Sequence, residues 1–460
     1  MRRLFTLFNT GGFELFLVGG AVRDLCRGRH LGDLSDLDFA TNAPPMDAER
    51  VLSRAGFPVF TVGSKFGTVG TLLDTPERQY DVQITTYRAD LYSEGSRKPT
   101  VTFSDRLEDD LIRRDFTINA MGMGADGQIV DPFGGRRDLA SQILRTVRNS
   151  EITFREDPLR MLRAARFLAQ LGFTADPFLA ISPAQAATIL TISHERWFQE
   201  MNKLLLGREA ERGLRFLHAA GLLTHILPEV DRLAAHEEPQ GRYHHLSVFA
   251  HTLEVVRQSP LRPAVRWAAL LHDAGKPATR SVEPDGAVHF LGHGDVGAEM
   301  VPAIAERFRF DTSLARDVAY LVREHQRPSL YQANWATGTL RRFVREVGSR
   351  LADLLDLCEA DVRSHHPDVQ DEGLVRLQHL RERIGTLGPD IQRVPLLPKG
   401  IGDAVMRRFS LPPGPQVGAC RARLEQAVLD GHLPQDGEID TYLAFLDQEP
   451  LASGRMEDTR

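Results

Sequence analysis

The stretch LVGGAVRDLCRGRHLGDLSDLDFA, from Leu17 to Ala40, decides the fold of the N-terminal part of this chain. An apolar run leads through a Gly-Gly pair into helix-type sequence, and a β-type run that carries Asp36 and Asp38 closes the stretch. Residues i and i+2 of an extended strand point to the same face, so both carboxylates can reach the same divalent ions. The stretch therefore predicts a small sheet that carries a two-metal site.

Gly19 and Gly20 lie between the predicted strand and the predicted helix. Glycines suit a tight turn whose backbone N–H groups, together with the N-terminus of the following helix, can hold a triphosphate. Arg23 adds a full positive charge beside them. A phosphate cradle next to a pair of metal-binding carboxylates predicts nucleotidyl transfer.

Length and composition limit the class of protein. A chain of 460 residues suggests about three or four domains. No uninterrupted apolar run approaches the roughly 20 residues that span a bilayer, which argues against a membrane protein. Cys26, Cys358 and Cys420 lie far apart, which fits a reducing compartment and excludes a Cys-based zinc motif. We therefore expect a cytoplasmic protein with no membrane partner.

The charge is unevenly distributed along the chain. The net charge of −6 argues against a wholly basic nucleic-acid binder. From Arg136 to Arg215, however, 13 Lys and Arg residues stand against 9 Asp and Glu residues. This local excess suits contacts with RNA phosphates.

The character of the sequence changes along the chain. The first part mixes short β-type runs with turn signals, whereas helical spacing of Leu, Ala and Arg dominates from Leu139 onward. A polar connector, Ala234–His245, leads into a histidine-rich helical module. The predicted class is α+β, with a small mixed sheet and helices at 1–135, an extended all-α body at 136–232, an α-helical domain at 233–370 and a mostly helical tail at 371–460.

Five motifs carry a family resemblance: LVGGAVRD…SDLDFAT, DDLIRRDFTINAM, DPFGG, EDPLRMLRAARF and SHERWFQEMNKLL. In this order, over about the first half of the chain, they resemble the class II tRNA nucleotidyltransferases, which are the CCA-adding enzymes and their poly(A) polymerase relatives. The resemblance implies a catalytic head at 1–135 and a neck and body for nucleotide selection and RNA binding at 136–232. It also implies Mg²⁺ held by Asp36 and Asp38, and attack by a tRNA 3′-hydroxyl on ATP or CTP with release of pyrophosphate.

Further head residues are candidates for this chemistry. Asp81, in YDVQITTYR, is a possible third catalytic carboxylate, and an edge-strand charge explains it equally well. In RRDFTINAM the resemblance assigns Arg114 and Asp115 to the ribose and phosphates of the nucleotide, with Asn119 nearby. A carboxylate can accept the proton of a ribose 2′-hydroxyl and so favour ribonucleotides. The alternative for Asp115 is an N-cap before FTINAM.

The segment EDPLRMLRAARF predicts a helix with a functional face. Asp157 before a proline is the arrangement of an N-cap, which is its simpler interpretation. Asp157 and Arg160 also share a face and can offer an acceptor and donors to a base edge without any nucleic-acid template. Arg163 and Arg166 continue this stripe within reach of phosphates. A solvated face with salt bridges is the alternative, and the family resemblance favours the functional interpretation.

Three other segments have less specific roles. The resemblance makes DPFGG, Asp131–Gly135, a hinge between sheet and helices. SHERWFQEMNKLL is interpreted as a helix with Ser193 as N-cap, and we give it no catalytic role. ADLYSEGSRKPTVTFSD, residues 89–105, resembles the flexible loop of the family at close to full length. Enzymes that add only C have a shortened loop, so addition of full CCA or of A alone is favoured.

The second helical module carries a pattern that resembles the HD-domain phosphohydrolases, in HTLEVV…AALLHDAGK…LGHGDVGAEM…VREHQ…CEADVR. Because this ligand set contains no thiolate, it does not distinguish among Mg, Mn, Ni, Fe and Zn. Any one of these histidines alone is more simply a core or surface residue. By resemblance one ion is held by His251, His272, Asp273 and Asp361, and His293 and His325 complete a second. Such domains imply phosphatase and 2′,3′-cyclic phosphodiesterase activity at RNA ends.

Together these observations predict a template-independent tRNA nucleotidyltransferase with an HD phosphohydrolase domain at 233–370. Its partners are expected to be the tRNA 3′ end, ATP and CTP; no DNA partner and no oligomeric state are predicted. A poly(A) polymerase of the same superfamily is the nearest alternative. Two further interpretations are a protein that is chiefly a metal phosphohydrolase with an RNA-binding N-terminal half, and an RNA-binding module without turnover.

Overall fold

The computed structural model describes residues 1–34, 36–60, 67–75, 78–91, 100–235, 246–284, 287–364, 367–387, 396–434 and 437–448. The chain forms two compact units. The first comprises Met1–Ala235, Leu261–Arg266 and Ala303–Asp311, and the second comprises His236–Pro260, Trp267–Pro302 and Thr312–Arg460. The predicted head and neck thus share one unit.

The described strands are short, and most of them lie in the first 130 residues. They are β1 (Leu15–Val18), β2 (Asp36–Thr41), β3 (Val59–Phe60), β4 (Thr68–Asp74), β5 (Gln79–Thr86), β6 (Arg88–Leu91), β7 (Thr100–Phe103), β8 (Gly122–Met123), β9 (Ile129–Val130), β10 (Ile143–Leu144), β11 (Thr174–Ala175), β12 (Ser281–Val282) and β13 (Val288–His289).

Seven of these strands form one mixed sheet in the order β3-β4-β5-β2-β1-β8-β9. Strands β2 and β5 pair in parallel, whereas β1 pairs with β2 and β4 pairs with β5 in antiparallel fashion. Residues alternate along β2, so Leu37 and Phe39 are buried while Asp36 and Asp38 lie on the opposite, exposed face. The Phe39 ring packs edge-on against Phe5 at a centroid distance of 5.7 Å.

Helices occur throughout the described part of residues 1–235. They are α1 (Arg2–Thr10), α2 (Gly20–Cys26), α3 (Pro45–Arg54), α4 (Leu107–Ile112), α5 (Gly135–Ala140), α6 (Ser150–Glu156), α7 (Leu159–Leu171), α8 (Pro183–Ala187), α9 (His194–Leu205), α10 (Ala210–Ala219), α11 (Leu222–Ile226) and α12 (Pro228–Asp231).

Helices also dominate the described part of the chain after residue 246. They are α13 (Val248–Gln258), α14 (Pro263–Leu271), α15 (Lys276–Thr279), α16 (His293–Phe308), α17 (Thr312–Glu324), α18 (Thr337–Val347), α19 (Leu351–Val362), α20 (Pro367–Thr386), α21 (Ile401–Phe409), α22 (Pro415–Leu429) and α23 (Ile439–Gln448). None of the described helices is both long enough and apolar enough to cross a membrane.

The predicted α+β class is confirmed: a small mixed sheet is followed by a largely helical chain. The short runs FELFLVGG, DLDFAT and QYDVQITTY become β1, β2 and β5. The boundaries at residues 135, 232 and 370 stay predictions, because the two compact units do not divide the chain at those positions.

Candidate active site and metal centre

Three carboxylates meet on one face of the mixed sheet. The parallel pairing of β2 with β5 makes Asp36 and Asp81 direct partners in register, and Asp38 follows two residues along β2. Register partners in adjacent strands point to the same face. All three side chains are exposed. The structure therefore brings Asp81 beside the two aspartates that the sequence singled out.

The electrostatics of Asp38 suit a site for cations. Although Asp38 reaches solvent, surrounding protein atoms desolvate its carboxylate enough to raise the pKa. The Arg114 guanidinium opposes this rise in pKa, and the neighbouring Asp36 carboxylate adds to it. Two like charges this close favour either a proton or a bound divalent cation between them.

Gly19 allows Arg114 to approach the carboxylates. Its φ of 73° lies in the left-handed region. A Cβ atom at this position would lie 2.9 Å from Nη1 of Arg114 and 4.0 Å from Oδ2 of Asp38. Gly20 is the first residue of α2, and a Cβ there would lie 3.5 Å from Nη2 of Arg23. The Gly-Gly turn thus leaves room for two guanidinium groups.

A hydrogen-bond network joins α2 to the RRDFTINAM segment and to α7. Nη1 of Arg23 donates to Oδ1 of Asn119 at 2.8 Å, and Nδ2 of Asn119 donates to Oδ1 of Asp115 at 3.0 Å. Nε of Arg163 donates to Oδ2 of Asp115 at 2.7 Å. Asp115 also accepts from the backbone N–H of Phe116 at 2.8 Å. Burial alone raises the pKa of Asp115, but Arg163 and Asn119 outweigh burial and lower it.

Three guanidinium groups surround the phenyl ring of Phe167. The Cζ atoms of Arg166, Arg23 and Arg163 lie 4.3, 5.2 and 5.6 Å from the ring centroid. The electron-rich face of an aromatic ring attracts cations. The ring itself packs edge-on against Phe116 at 5.5 Å. The arrangement concentrates positive charge around one aromatic ring.

Asp157 and Arg160 already have protein partners. Oδ1 of Asp157 accepts from the backbone N–H of Leu159 at 3.1 Å, which is the capping role that the proline signal predicted. Its Oδ2 lies 3.5 Å from Nη2 of Arg196. Nη2 of Arg160 donates to the backbone oxygen of Arg113 at 2.7 Å. Capping and base recognition are compatible, because a carboxylate offers about four acceptor positions.

The DPFGG segment is tightly held. Asp131 accepts from the backbone N–H groups of Gly135 and Arg136 at 2.7 and 2.9 Å. Gly134 adopts the left-handed conformation, with φ of 76°. A Cβ atom on Gly135 would lie 2.3 Å from the backbone oxygen of Thr117. The segment therefore combines one glycine required by φ with one required by close packing, and its role as a hinge stays a prediction.

Four imidazoles and two carboxylates converge in the second unit. The Nε2 atoms of His251 and His272 lie 3.2 Å apart, as do those of His293 and His325. Each of two groups, His251 with His272 and Asp361, and Asp273 with His293 and His325, brings its ligand atoms within 4.8 Å of one another. All six residues are buried.

Asp273, a member of the second group, also lies close to two residues of the first. Its Oδ2 lies 3.5 Å from Nε2 of His251 and 3.3 Å from Nε2 of His272. Its Oδ1 lies 3.4 Å from Nε2 of His293. One carboxylate therefore faces both halves of the cluster, and it would be available to an ion bound in either half.

The outward-facing nitrogens fix the orientation of the rings. Nδ1 of His272, His293 and His325 donates to the backbone oxygens of Ala269, Phe290 and Val322 at 2.9, 2.7 and 2.7 Å. The hydroxyl of Ser364 donates to the backbone oxygen of Asp361 and lies 2.7 Å from Nδ1 of His251, so it accepts from that ring. With Nδ1 protonated, each neutral ring directs the lone pair of Nε2 inward.

This donor set fits a divalent metal. Two lone pairs that face each other at 3.2 Å repel unless a cation or proton lies between them. Burial lowers the pKa of His251, His293 and His325, the last to about 3, so these rings favour the neutral, ligating form. At His272 burial also lowers the pKa, but the Asp273 carboxylate outweighs it and the net shift is upward.

Comparison with known proteins identifies the family. Residues 15–145 match the "Poly A polymerase head domain" family, and residues 242–364 match the "HD domain" family. Residues 178–233 match a family described as the probable RNA and SrmB-binding site of polymerase A. The chain is 34% identical over 446 residues to the A-adding tRNA nucleotidyltransferase of Deinococcus radiodurans, with 93% of this chain and 94% of that protein covered. The chain belongs to the tRNA nucleotidyltransferase family.

A second relative has a different specificity. This tRNA nucleotidyltransferase is 33% identical over 457 residues to the CC-adding tRNA nucleotidyltransferase of Thermus thermophilus, with 96% of both chains covered. Its fold is similar to the crystal structure of the Bacillus stearothermophilus CCA-adding enzyme in complex with CTP, with a TM-score of 0.69, 26% identity, and coverage of 97% and 96% of the two chains. The predicted nucleotidyltransferase activity and HD domain are confirmed.

Two buried charged residues of the nucleotidyltransferase were not predicted as site residues. Nζ of Lys276 lies 2.7 Å from Oδ2 of Asp273. Glu200, on the SHERWFQEMNKLL helix, pairs with Nε of Arg166 at 3.1 Å. The signal for Lys276 was its i+3 spacing from Asp273, whereas Glu200 and Arg166 are 34 residues apart and no local pattern joins them.

Proposed function

We propose that this nucleotidyltransferase completes the 3′ end of tRNA by adding CCA, or its terminal A alone, from CTP and ATP with release of pyrophosphate. The observation that carries the proposal is the parallel register that sets Asp81 beside Asp36, with Asp38 on the same face. Oxygen ligands in this arrangement suit Mg²⁺. The similarity to both A-adding and CC-adding relatives supports tRNA as the substrate.

In the proposed reaction the RNA 3′-hydroxyl attacks the α-phosphorus, the bond to the β-phosphate oxygen breaks, and pyrophosphate leaves. Asp36, Asp38 and Asp81 would hold two Mg²⁺ ions, and these ions would supply charge neutralisation and lower the pKa of the attacking hydroxyl. Arg23 and Arg114 lie beside the Gly-Gly turn and orient the triphosphate. Guanidinium groups suit this task because they present several donors to phosphate oxygens.

The RRDFTINAM segment and α7 bind the ribose and the base of the incoming nucleotide. Asp115 accepts from the ribose, with Asn119 nearby, and Arg163 holds Asp115 in place through the bond at 2.7 Å. Asp157 and Arg160 select the base as acceptor and donor, and Arg163 and Arg166 place positive charge near phosphates. The capping bond from Leu159 supports this role, because it fixes the Asp157 carboxylate at the start of α7.

We also propose that the HD domain is a metal-dependent phosphohydrolase that prepares RNA 3′ ends. The supporting observation is the inward convergence of four Nε2 atoms whose Nδ1 atoms are bonded outward. Bound divalent ions would activate a water molecule for attack on a phosphate. An RNA end that carries a phosphate has no free 3′-hydroxyl to extend, so removing it precedes transfer.

The experiment supplies tRNAs that end before CCA, after C and after CC with each triphosphate singly. Addition of A to the CC-ending tRNA supports the proposal, and addition of C alone to tRNA lacking CCA contradicts it. Residues 92–99 of the loop at 89–105, from which the sequence argues for this specificity, lie outside the described residues. Product length therefore decides the question directly.

Variants separate the two activities. Asp36→Ala with Asp38→Ala should abolish transfer and leave hydrolysis of a 2′,3′-cyclic phosphate end unchanged. His272→Ala with Asp273→Ala should do the reverse, since these residues lie in the second unit. Hydrolysis that survives the second pair of substitutions contradicts the assignment of the metal centre.

A further inference from the structure

The side chain of Asp110, in α4, is completely buried and is bound by two arginines. Its Oδ1 accepts from Nε and Nη2 of Arg113 at 3.0 and 2.6 Å, and its Oδ2 accepts from Nη2 of Arg114 at 2.9 Å. Burial alone raises the pKa of Asp110, but Arg114 and Arg113 outweigh it and lower the pKa, so the carboxylate stays ionised. One carboxylate thus holds the guanidinium groups of residues i+3 and i+4.

The ion pair of Asp110 with Arg114 lies at the triphosphate end of the proposed nucleotide site. While Nη2 of Arg114 is bonded to Asp110, its Nη1 points toward Gly19, 2.9 Å from where a Cβ would lie. Nε of Arg114 is buried and has no hydrogen-bond partner among the described residues. The Asp110 carboxylate therefore fixes the position of the Arg114 guanidinium.

The ion pair of Asp110 with Arg113 is connected, through Arg160, to the end of the proposed nucleotide site that selects the base. The backbone oxygen of Arg113 accepts from Nη2 of Arg160 at 2.7 Å, so the turn that follows α4 supports the first turn of α7. The fork of bonds from Arg113 to Asp110 holds that turn in one conformation. A displacement of this turn would move Arg160 away from its present position.

We propose that Asp110 is a positioning residue for the nucleotide, one that sets Arg114 at the triphosphate end and, through Arg113, Arg160 at the base end. The inference rests on the nucleotide site proposed above. Because both ends depend on one carboxylate, its loss weakens nucleotide affinity and selectivity together. A helix-terminal ion pair with a structural role alone would change only the stability of the protein.

The test compares Asp110→Asn with Asp109→Asn in the full chain. Asp109 is the adjacent residue of α4, and its carboxylate accepts from the Ser104 hydroxyl at 2.6 Å, which makes it a matched control. ATP and CTP are titrated separately, with Mg²⁺ and without RNA, to give the Kd of each. Incorporation of correct against incorrect nucleotide into tRNA ending in CC gives the selectivity, and thermal unfolding gives the stability.

For Asp110→Asn we expect both Kd values to rise about tenfold, as for the loss of one charge-assisted hydrogen bond, and selectivity to fall. Asp109→Asn should match the wild-type chain in both respects. A folded Asp110→Asn variant with wild-type Kd and selectivity overturns the proposal. A wild-type chain that binds neither nucleotide contradicts the proposed function instead.

If Asp110→Asn does not fold, Arg113→Lys decides the question with Asp110 intact. Lysine keeps the charge but lacks the planar fork, so it holds the turn less rigidly. We then expect lower selectivity with Kd values closer to those of the wild-type chain. Unchanged selectivity in folded Arg113→Lys overturns the proposal.

Discussion

Nε and Nη2 of Arg163 lie 2.7 and 2.6 Å from Oδ2 of Asp115, which joins α7 to the segment that follows α4. The pair is buried on the Asp115 side, where 7% of the side chain is exposed. A buried charge that loses its partner destabilises a protein strongly, by about 3–5 kcal/mol. This pair therefore contributes to stability, and it holds a carboxylate that the proposed function assigns to the nucleotide site.

We expect Asp115→Asn to lower the free energy of unfolding by roughly 3 kcal/mol, because it leaves the Arg163 charge unpaired. The Kd for ATP should rise as well. Asp176→Asn breaks a different ion pair, with Nη1 of Arg145 at 2.8 Å, and serves as control. It should lower stability without changing the Kd for ATP. Equal Kd values in both variants would remove Asp115 from the nucleotide site.

The Asp115 carboxylate should also make the stability of the protein depend on pH. The pKa of Asp115 in the folded protein lies below the value of about 3.9 for an unfolded chain, so the folded state binds fewer protons. Its contribution to stability is fully present above the unfolded pKa and is lost as the pH falls toward the folded pKa. Denaturant unfolding between about pH 5 and pH 3 should therefore show a smaller loss of stability for Asp115→Asn than for the wild-type chain.

Gly19→Ala should impair transfer more than backbone strain alone explains. An alanine at φ 73° and ψ −136° is strained by about 1–3 kcal/mol, and its Cβ would meet Nη1 of Arg114 at 2.9 Å. Gly348→Ala is the matched control, because Gly348 has φ 61° and ψ −135° and a Cβ there would meet nothing within 4 Å. Single-turnover transfer rates of the two variants isolate the effect of the contact. Equal rates would show that nucleotidyl transfer does not require the close approach of Arg114 to Gly19.

Asp157→Asn separates capping from base selection. Asparagine is as good an N-cap as aspartate, so the bond from the Leu159 N–H can persist and stability should change little. In asparagine, however, an NH₂ group that donates hydrogen bonds replaces one carboxylate oxygen that accepts them. The selectivity between ATP and CTP should therefore fall. Asn149→Ala removes the cap of α6, in which Asn149 accepts from the Glu151 N–H at 2.8 Å, and should lower stability with selectivity intact. Unchanged selectivity in Asp157→Asn would leave capping as its role.

Ser364→Ala should weaken metal binding in the HD domain. The hydroxyl fixes the tautomer of His251, and the loss of such a partner typically lowers metal affinity by about 10- to 100-fold. Ser259→Ala is a control, since its buried hydroxyl donates to the backbone oxygen of Val255 at 2.8 Å. Titration of the metal-free chain with Mn²⁺ or Ni²⁺ measures both. Equal affinities would contradict the orientation of the His251 ring described above.

Local sequence patterns predict those parts of the site whose geometry is local. The i+2 spacing of Asp36 and Asp38 predicts their shared face, and the Asp-Pro pair predicts the cap at Asp157. The position of Asp81 depends on the strand order and on a parallel register, which periodicity does not encode. The sequence is therefore equally consistent with an edge-strand charge, whereas the structure pairs β5 with β2.

Residues that act through distant partners escape sequence reasoning. Glu200 follows the pattern of an amphipathic helix, and only the packing of α9 on α7 brings it to Arg166. Asp110 appears as one of several acidic residues in LEDDLIRRDF, and burial distinguishes it from Asp109. The order of the HD ligands along the chain is a sequence pattern, whereas the outward bonds of their Nδ1 atoms depend on backbone oxygens, which have no sequence signature.

Gly135 has a consequence for the way flexibility is tested in this enzyme. Its hydrogen atom faces the Thr117 carbonyl where a methyl group would be only 2.3 Å away, so any larger residue forces the two segments apart. An inactive Gly135→Ala enzyme would therefore report steric exclusion, and it would carry no information about bending of the chain. Motion at DPFGG has to be measured by distance probes placed on either side of it, in a protein whose glycines are left intact.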